Sequence, residues 1–81
     1  MRQMVRAYCL VRAKTDRIRE AYGKIIVLAE VKEVVPVYGE YDLIVKVETD
    51  DFRSLDRFVY NSLREIPEVE TTTTMVVSGL T

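Results

Sequence analysis

Residues 37–47 decide the fold of this 81-residue chain, and they read Val37-Tyr38-Gly39-Glu40-Tyr41-Asp42-Leu43-Ile44-Val45-Lys46-Val47. Apolar, β-branched residues flank a Gly-Glu pair, which predicts a β-hairpin with one strand ending near Tyr38 and the next beginning at Tyr41. Gly39 supplies the positive φ that a tight turn requires. Asp42 follows the turn, and a carboxylate at the start of an apolar strand needs a hydrogen-bond partner or water.

Length and composition limit the class of protein. The chain is expected to form one domain, residues 1–81, and a domain this small gains stability from association. A formal net charge of −1 gives no indication of a nucleic-acid or membrane surface. The single cysteine, Cys9, excludes an intrachain disulfide, fits a reducing cytoplasmic setting and is expected to be buried. The absence of histidine excludes histidine-based acid–base chemistry and histidine-ligated metals.

Hydrophobic periodicity predicts four strands and two helices in the order βαββαβ. The strands are predicted at residues 5–12, 31–38, 41–48 and 69–77. Thr15 and Asp16 are the predicted N-caps of the first helix. Thr49 and Asp50 are the predicted N-caps of the second helix, and Pro67 is predicted to end that helix. The apolar helix positions are Ile18, Ala21, Tyr22, Ile25 and Ala29, then Phe52, Leu55, Val59, Leu63 and Ile66.

This order predicts an α+β, ferredoxin-like fold, with both helices on one face of a four-stranded antiparallel sheet. The first and third strands are then central, and the second strand lies at an edge. Pro36 agrees with the edge position, because proline has no N–H to donate to a ladder. No signal or membrane segment is evident, since every apolar run is far shorter than the roughly 18 residues of a membrane helix.

The sheet face without helices is predicted to meet a second copy of the chain. Alternation along the central strands predicts that six side chains face the helices: Ala7, Cys9, Val11, Leu43, Val45 and Val47. The opposite face carries Tyr8, Leu10 and Ile44 among Arg6, Arg12, Asp42, Lys46 and Glu48. This mixture is too apolar for a fully hydrated surface and too charged for a closed core, so it favours an interface. An ordinary half-exposed sheet is the alternative.

Motifs for catalysis, cofactors, metals or nucleic acid are lacking. The sequence contains no P-loop, GxGxxG, CxxC or HExxH pattern. RNA-recognition domains share the βαββαβ order, but they carry a basic, glycine-rich motif on the third strand. That motif is absent here, and Asp42 places an acidic residue in the strand. No cofactor and no direct nucleic-acid binding are therefore expected.

A small-ligand site at the hairpin is the hypothesis that the residues themselves support. Asp42 can accept hydrogen bonds from a cationic amine, and Tyr38 and Tyr41 offer walls or hydroxyl groups. The four threonines at residues 71–74 place hydroxyls on both faces of the last strand. Two alternatives stay open: Asp42 as a structural carboxylate that satisfies turn amides, and the threonines as ordinary strand formers.

Two segments stand out together: Val34-Val35-Pro36-Val37-Tyr38-Gly39-Glu40-Tyr41-Asp42-Leu43 and Ile66-Pro67-Glu68-Val69-Glu70-Thr71-Thr72-Thr73-Thr74. They resemble the C-terminal effector domain, called the RAM domain, of the Lrp/AsnC family of transcription regulators, with Glu68 where the family often has glycine. The resemblance covers nearly the whole chain. It implies a dimeric α/β-barrel type of association, in which homodimers assemble into higher rings, octamers or decamers.

The resemblance also implies that an amino-acid effector binds near the hairpin. The candidate ligand-binding residues are Tyr38, Gly39, Glu40, Tyr41, Asp42, Thr72 and Thr74, of which Gly39 and Asp42 match the family's effector-loop positions. Because the first predicted strand begins close to Met1, we expect no helix-turn-helix domain, so a full-length regulator is a potential partner. The alternative function is a small monooxygenase-like enzyme, which requires a polar pocket between helices and sheet.

Overall fold

A computed structural model describes residues 4–79. Its elements follow the predicted order: β1 Val5–Ala13, α1 Ile18–Ile25, β2 Val31–Pro36, β3 Leu43–Thr49, α2 Phe52–Phe58 and β4 Val69–Val76. A π-helical segment, Val59–Leu63, continues α2 and is closed by a 2.9 Å hydrogen bond from the Arg64 N–H to the Val59 carbonyl. The architecture is the α+β, ferredoxin-like arrangement that the sequence predicts.

The sheet is antiparallel throughout, with strand order β2-β3-β1-β4. The prediction that the first and third strands are central is confirmed. β2 lies at an edge and ends at Pro36, as expected for a residue that cannot donate to a ladder. In the central register Cys9 lies opposite Val45, and Leu10 lies opposite Ile44.

The core lies between the sheet and the helices. The sheet contributes the buried residues Ala7, Cys9, Val11, Ala13, Val34, Leu43, Val45 and Val47. The helical layer contributes Ala21, Ile25, Leu55, Phe58, Val59, Leu63 and Ile66. All six central-strand residues predicted for the helix side are fully buried, so the predicted alternation is confirmed.

The start of α1 differs from its prediction. The helix begins at Ile18 after Arg17, and no side chain caps it, so neither Thr15 nor Asp16 is an N-cap. The chain turns sharply here, with the Arg17 N–H bonded to the Lys14 carbonyl at 2.9 Å, and Asp16 has a φ of 69°. This left-handed conformation is incompatible with the extended backbone of an N-cap residue.

Two further helix boundaries are corrected. Asp51, rather than Thr49 or Asp50, caps α2, and its Oδ1 accepts the Ser54 N–H at 2.8 Å. Thr49 Oγ1 donates instead to the Asp51 carbonyl at 2.9 Å. α1 ends at Ile25, and two successive four-residue turns carry the chain on to β2, so Ala29 is exposed outside the helix.

The hairpin is longer than predicted. Residues 37–42 form its connection, and the Val37 N–H bonds to the Asp42 carbonyl at 2.9 Å across it. Pro36 ends the ladder, because it offers no N–H to continue it. Gly39 has the predicted positive φ, at 136°. The result is a wide loop at the end of the sheet instead of a two-residue turn.

Two phenylalanines of α2 provide a matched test of the core. Phe58 is 1% exposed, whereas Phe52 is 62% exposed. We expect Phe58→Ala to lower the free energy of unfolding by about 3–5 kcal/mol, because it removes buried surface and leaves a cavity. Phe52→Ala should change it by about 0.5 kcal/mol or less. Urea unfolding followed by circular dichroism measures both, and equal effects would contradict the observed packing of α2.

Candidate functional site

An open groove of about 970 Å³ lies at the end of the sheet, where the ladder between β1 and β3 stops. The last residues of β1, the start of α1 and the hairpin connection form its walls. Its apolar lining consists of Ala13, Ile18, Tyr22, Pro36 and Leu43. Its charged lining consists of Arg12, Asp16, Arg19, Glu40, Asp42 and Glu70. The groove therefore offers both signs of charge beside an apolar wall.

Asp42 makes three hydrogen bonds, of which two anchor the hairpin to the end of β1 and one closes the hairpin connection. Its N–H donates to the Val11 carbonyl at 2.9 Å, its carbonyl accepts the Val37 N–H at 2.9 Å, and its Oδ2 accepts the Ala13 N–H at 2.9 Å. The ladder with β3 ends at Val11, so the carboxylate replaces the strand carbonyl that Ala13 would otherwise use. One Asp42 oxygen is thus structural. Among residues 4–79 the other oxygen accepts no hydrogen bond.

Two arginines supply the positive charge of the groove. Arg12 donates to the Glu40 carbonyl at 2.6 Å, and its guanidinium lies 6.0 Å from the centre of the Tyr41 ring. Arg12 is therefore held in place by the hairpin. Arg19, in the first turn of α1, makes no hydrogen bond or ion pair within residues 4–79. A ligand carboxylate that enters the groove has the Arg19 guanidinium available to it.

The structure brings together three of the predicted site residues. Gly39, Glu40 and Asp42 all line the groove. No atom lies within 4 Å of a Cβ built on Gly39, so its positive φ, and not lack of space, is what requires glycine there. The hairpin thus presents its backbone directly to the groove.

The other four predicted residues do not line the groove. Tyr38 is fully exposed at the tip of the connection. The Tyr41 hydroxyl hydrogen-bonds to Thr73 Oγ1 at 3.0 Å instead. Thr72 and Thr74 pair with Val11 and Cys9, on the helix side of β4. These four residues therefore lie outside the lining of the groove.

Several groove residues were not among the predicted ones. Ile18 and Tyr22 were assigned to the core face of α1, and Arg19 had no assigned role. Their position depends on where α1 starts, which the turn at Asp16 sets. Glu70 reaches the groove because the register between β1 and β4 shifts at Ala13, which pairs with Val69 and leaves Glu70 as an extra residue. No local sequence signal marks that shift.

The face of the sheet opposite the helices has a mixed surface. Leu10 lies beside Ile44, and the next row across the strands places Tyr8 beside Lys46 and Met75. Leu10 and Ile44 are only half-buried, and Met75 is 49% exposed. The predicted combination of apolar and charged residues is thus present on this face.

Side chains fill the space between the helices and the central strands. Cys9, Val45 and Leu63 have no exposed surface there, and Phe58 is 1% exposed. No polar pocket lies at this position in residues 4–79; the polar lining belongs to the groove at the end of the sheet. Within the same residues, no three metal-ligating side chains cluster together. No helix of the described part of the chain is long and apolar enough to cross a membrane.

Comparison with known proteins establishes the family. A family model described as the Lrp/AsnC ligand binding domain matches residues 6–79. The chain belongs to the Lrp/AsnC family. The crystal structure of FFRP-DM1 superposes with a TM-score of 0.88 at 44% sequence identity, covering 91% of this chain and 99% of that one. The crystal structure of hypothetical protein PHS023 from Pyrococcus horikoshii superposes with a TM-score of 0.85 at 44% sequence identity. That match covers 91% of this chain and 89% of PHS023.

A longer curated relative is the HTH-type transcriptional regulator FL11 of Pyrococcus abyssi, which is 32% identical over 71 residues. That match covers 88% of this chain but 46% of the relative, so the chain spans about half the length of the curated relatives it matches. Relatives named as transcriptional regulators place the Lrp/AsnC domain in a regulatory family. The resemblance of the two sequence segments to this family is confirmed.

Cys9 is the one nucleophilic thiol of the chain, and burial raises its pKa above the ordinary value of 9.0, although Thr74, 3.7 Å away, partly opposes this. The buried Cys9 thiol contributes fully to stability at a pH below its pKa in the unfolded chain, and this contribution is lost as the pH rises through its pKa in the folded protein.

Because the Cys9 thiol is buried and its pKa is raised, we expect a thiol reagent at pH 8 to modify the native protein much more slowly than the urea-unfolded protein. Cys9→Ala is the blank, and equal rates would show that the thiol is accessible.

Proposed function

We propose that this chain is an amino-acid effector module of the Lrp/AsnC family that works as an oligomer. The observation that carries the proposal is the groove beside Asp42, which combines an apolar wall with an Asp42 carboxylate oxygen and an Arg19 guanidinium that have no partner within residues 4–79. A free amino acid has the complementary parts: an ammonium group, a carboxylate and a side chain.

Each end of the ligand has a matching group in the groove. The free oxygen of Asp42 accepts a hydrogen bond from the ammonium group, while Oδ2 keeps its bond to Ala13. The carboxylate lies near Arg19 and the backbone amides beside Gly39. Glu40 borders the same space, and its carbonyl is already held by Arg12. Tyr38, Tyr41, Thr72 and Thr74 contact the ligand only if assembly or closure brings them near.

Asp42→Asn tests the ammonium contact without removing the structural one. The amide oxygen of asparagine can still accept the Ala13 N–H, but the negative charge is lost. A charge-assisted hydrogen bond contributes roughly 1.5–3 kcal/mol, so we expect binding to weaken by about 10- to 100-fold. Calorimetric titration with the twenty common L-amino acids identifies the ligand for the wild-type protein and then measures this loss.

Asp42→Ala is the matched comparison. It also leaves the Ala13 N–H without its acceptor, so the ligand-free protein should lose about 1–3 kcal/mol of stability, whereas Asp42→Asn should melt close to the wild-type temperature. Undiminished binding by Asp42→Asn would show that the carboxylate is only structural. Failure of every amino acid to bind or to raise the melting temperature of the wild-type protein would refute the effector proposal itself.

The sheet face opposite the helices is the proposed dimer surface. Its centre, Leu10 and Ile44, is apolar, and the charged residues surround that centre, as in many protein interfaces. A small domain also gains stability from the apolar surface that a dimer interface buries. A full-length regulator of the family carries the same kind of domain, so we propose mixed assembly with such a regulator as the route to transcription control. Homodimers that join into octameric or decameric rings fit the same proposal.

Leu10→Lys places a charge at the centre of that face. An unpaired buried charge costs several kcal/mol, so we expect a lower native mass than that of the wild-type protein at micromolar concentration. Val27→Lys makes the same chemical change at a position that is 76% exposed, in the connection after α1, and should leave the mass unchanged. Native mass spectrometry compares the two variants, and a wild-type mass for Leu10→Lys would exclude this face as an interface.

A further inference from the structure

The middle of the hairpin connection has few hydrogen bonds to hold it. Its two ends are paired, since the Val37 N–H bonds to the Asp42 carbonyl and the Asp42 N–H bonds to the Val11 carbonyl. Between them, no backbone N–H of residues 38–41 has a hydrogen-bond partner within the described part of the chain. The stretch also contains Gly39, the residue type with the widest backbone freedom. Its conformation therefore depends on side-chain contacts rather than on the strand ladder.

Arg12 supplies the contact that the ladder lacks. Its Nη2 donates to the Glu40 carbonyl at 2.6 Å, and its guanidinium lies 6.0 Å from the centre of the Tyr41 ring. The guanidinium thus contacts two consecutive residues of the connection, one through the backbone and one through the side chain. A hydrogen bond from a charged donor contributes more than one from a neutral group, and arginine keeps its charge throughout the pH range of folded proteins.

Thr73 of β4 extends this contact to the far side of β1. The Tyr41 hydroxyl and Thr73 Oγ1 are 3.0 Å apart, and Thr73 lies opposite Leu10 in the ladder between β1 and β4. Because β1 lies between β3 and β4, the Tyr41 side chain reaches from the hairpin across β1 to the next strand. Arg12, Tyr41 and Thr73 together form a strap that ties the connection to two strands.

We infer that Arg12 is a positioning residue for the groove: through the strap it holds the hairpin connection in the conformation that presents its free amides, and it does not bind the ligand itself. In a trans peptide the N–H points opposite to the carbonyl, so the bond from Arg12 to the Glu40 carbonyl directs the Tyr41 N–H away from Arg12. An N–H held in this way binds an anion without first being ordered. That the anion is the carboxylate of an amino acid rests on the proposed function, whereas the positioning does not.

Arg12 differs in this respect from Arg19, the other arginine of the groove. Arg19 makes no hydrogen bond or ion pair within residues 4–79, so its guanidinium can turn toward a ligand. Arg12 is engaged on the connection, and turning it toward a ligand would break its bond to the Glu40 carbonyl. A ligand that pairs with Arg19 leaves the connection intact, so the two arginines have separate roles.

Proteolysis measures the positioning without a ligand. Tyr38 is fully exposed at the tip of the connection, and chymotrypsin can cut after it once the backbone there is free to adapt to the protease. We expect cutting of Arg12→Ala after Tyr38 to be about tenfold faster than that of the wild-type protein, as the loss of one charge-assisted hydrogen bond implies. Arg12→Lys, which keeps a charged donor, should lie between them. Mass spectrometry of the fragments identifies the cut, and hydrogen exchange of the Val37 N–H reports the same opening.

Two threonines of β4 provide matched variants outside the groove. Thr73→Val removes the hydroxyl that bonds to Tyr41, whereas Thr71→Val makes the same change where the hydroxyl has no hydrogen-bond partner within residues 4–79. Neither threonine lines the groove, and both are exposed. We expect faster cutting after Tyr38 for Thr73→Val and the wild-type rate for Thr71→Val. Circular dichroism checks folding, and Tyr41→Phe, which loses only the hydroxyl, is the second variant for the same bond.

Binding then separates positioning from direct contact. The probes are the twenty common L-amino acids, and each one that binds is compared with the amine formed by its decarboxylation. We expect Thr73→Val to weaken binding of the amino acid by about 3- to 10-fold, as one lost neutral hydrogen bond implies, and to leave binding of the amine unchanged. A merely structural role would weaken both equally. Failure of every amino acid to bind the wild-type protein refutes the effector proposal, and the rates of cutting then decide the positioning role alone.

Two results would overturn the inference. One is a wild-type rate of cutting after Tyr38 in both Arg12→Ala and Thr73→Val, which would show that the connection keeps its conformation without these side chains. The other is loss of amino-acid binding in Arg12→Ala together with wild-type affinity in a Thr73→Val protein that is cut faster, which would make Arg12 a direct ligand contact. Faster cutting in both variants, with no change in Thr71→Val, supports the strap.

Discussion

β1 and β3 pair with Cys9 opposite Val45, and the rest of the domain depends on this register. It places the small and β-branched apolar residues of both central strands on the helix side, where they are fully buried. A slip of one residue would turn that set to solvent and bring Arg6, Tyr8 and Arg12 under the helices. The described residues, 4–79, form one hydrophobic core, so the alternation in these two strands determines both the fold and the composition of the uncovered face.

The groove exists because this central ladder stops before β1 does. β3 ends its pairing at Leu43, opposite Val11, while β1 continues to Ala13. The Ala13 N–H then bonds to the carboxylate of Asp42 instead of to a strand. Through this hydrogen bond the Asp42 side chain also fixes the hairpin connection, residues 37–42, to the end of β1. The same residue therefore gives the groove one fixed wall and one carboxylate oxygen that accepts no hydrogen bond within the described part of the chain.

The fold was predictable from the sequence because hydrophobic periodicity predicts the order of the elements and Pro36 indicates which strand lies at an edge. The order of elements, the central position of β1 and β3, and the buried set of Ala7, Cys9 and Val11 all follow from alternation. The site was predictable only in part. Gly39 and Asp42 stand out locally, but the contributions of Arg19 and Glu70 depend on the turn at residues 14–17 and on a register shift between strands. Such features arise from contacts between distant segments, and local patterns do not encode them.

The helix caps illustrate the same limit. Thr15, Asp16, Thr49 and Asp50 all have the chemistry of an N-cap, yet Asp51 is the residue whose carboxylate caps a helix. The backbone decides which candidate is used, because a cap requires an extended conformation at that residue. At Asp51 φ is −156°, whereas Asp16 has a φ of 69°. Composition alone therefore predicts the presence of a helix better than its first residue.

The hairpin also connects the groove to the uncovered face of the sheet. Arg12 bonds to the Glu40 carbonyl, its guanidinium lies over Tyr41, and the Tyr41 hydroxyl bonds to Thr73 of β4. The proposed ligand beside Asp42 and the proposed second subunit on the sheet would therefore act on one connected set of side chains. If the ligand binds the assembled form more tightly than the separate chain, linkage requires that it strengthen assembly by the same factor. The size of that factor depends only on the difference in affinity between the two forms, so a ligand that binds both equally leaves the assembly unchanged.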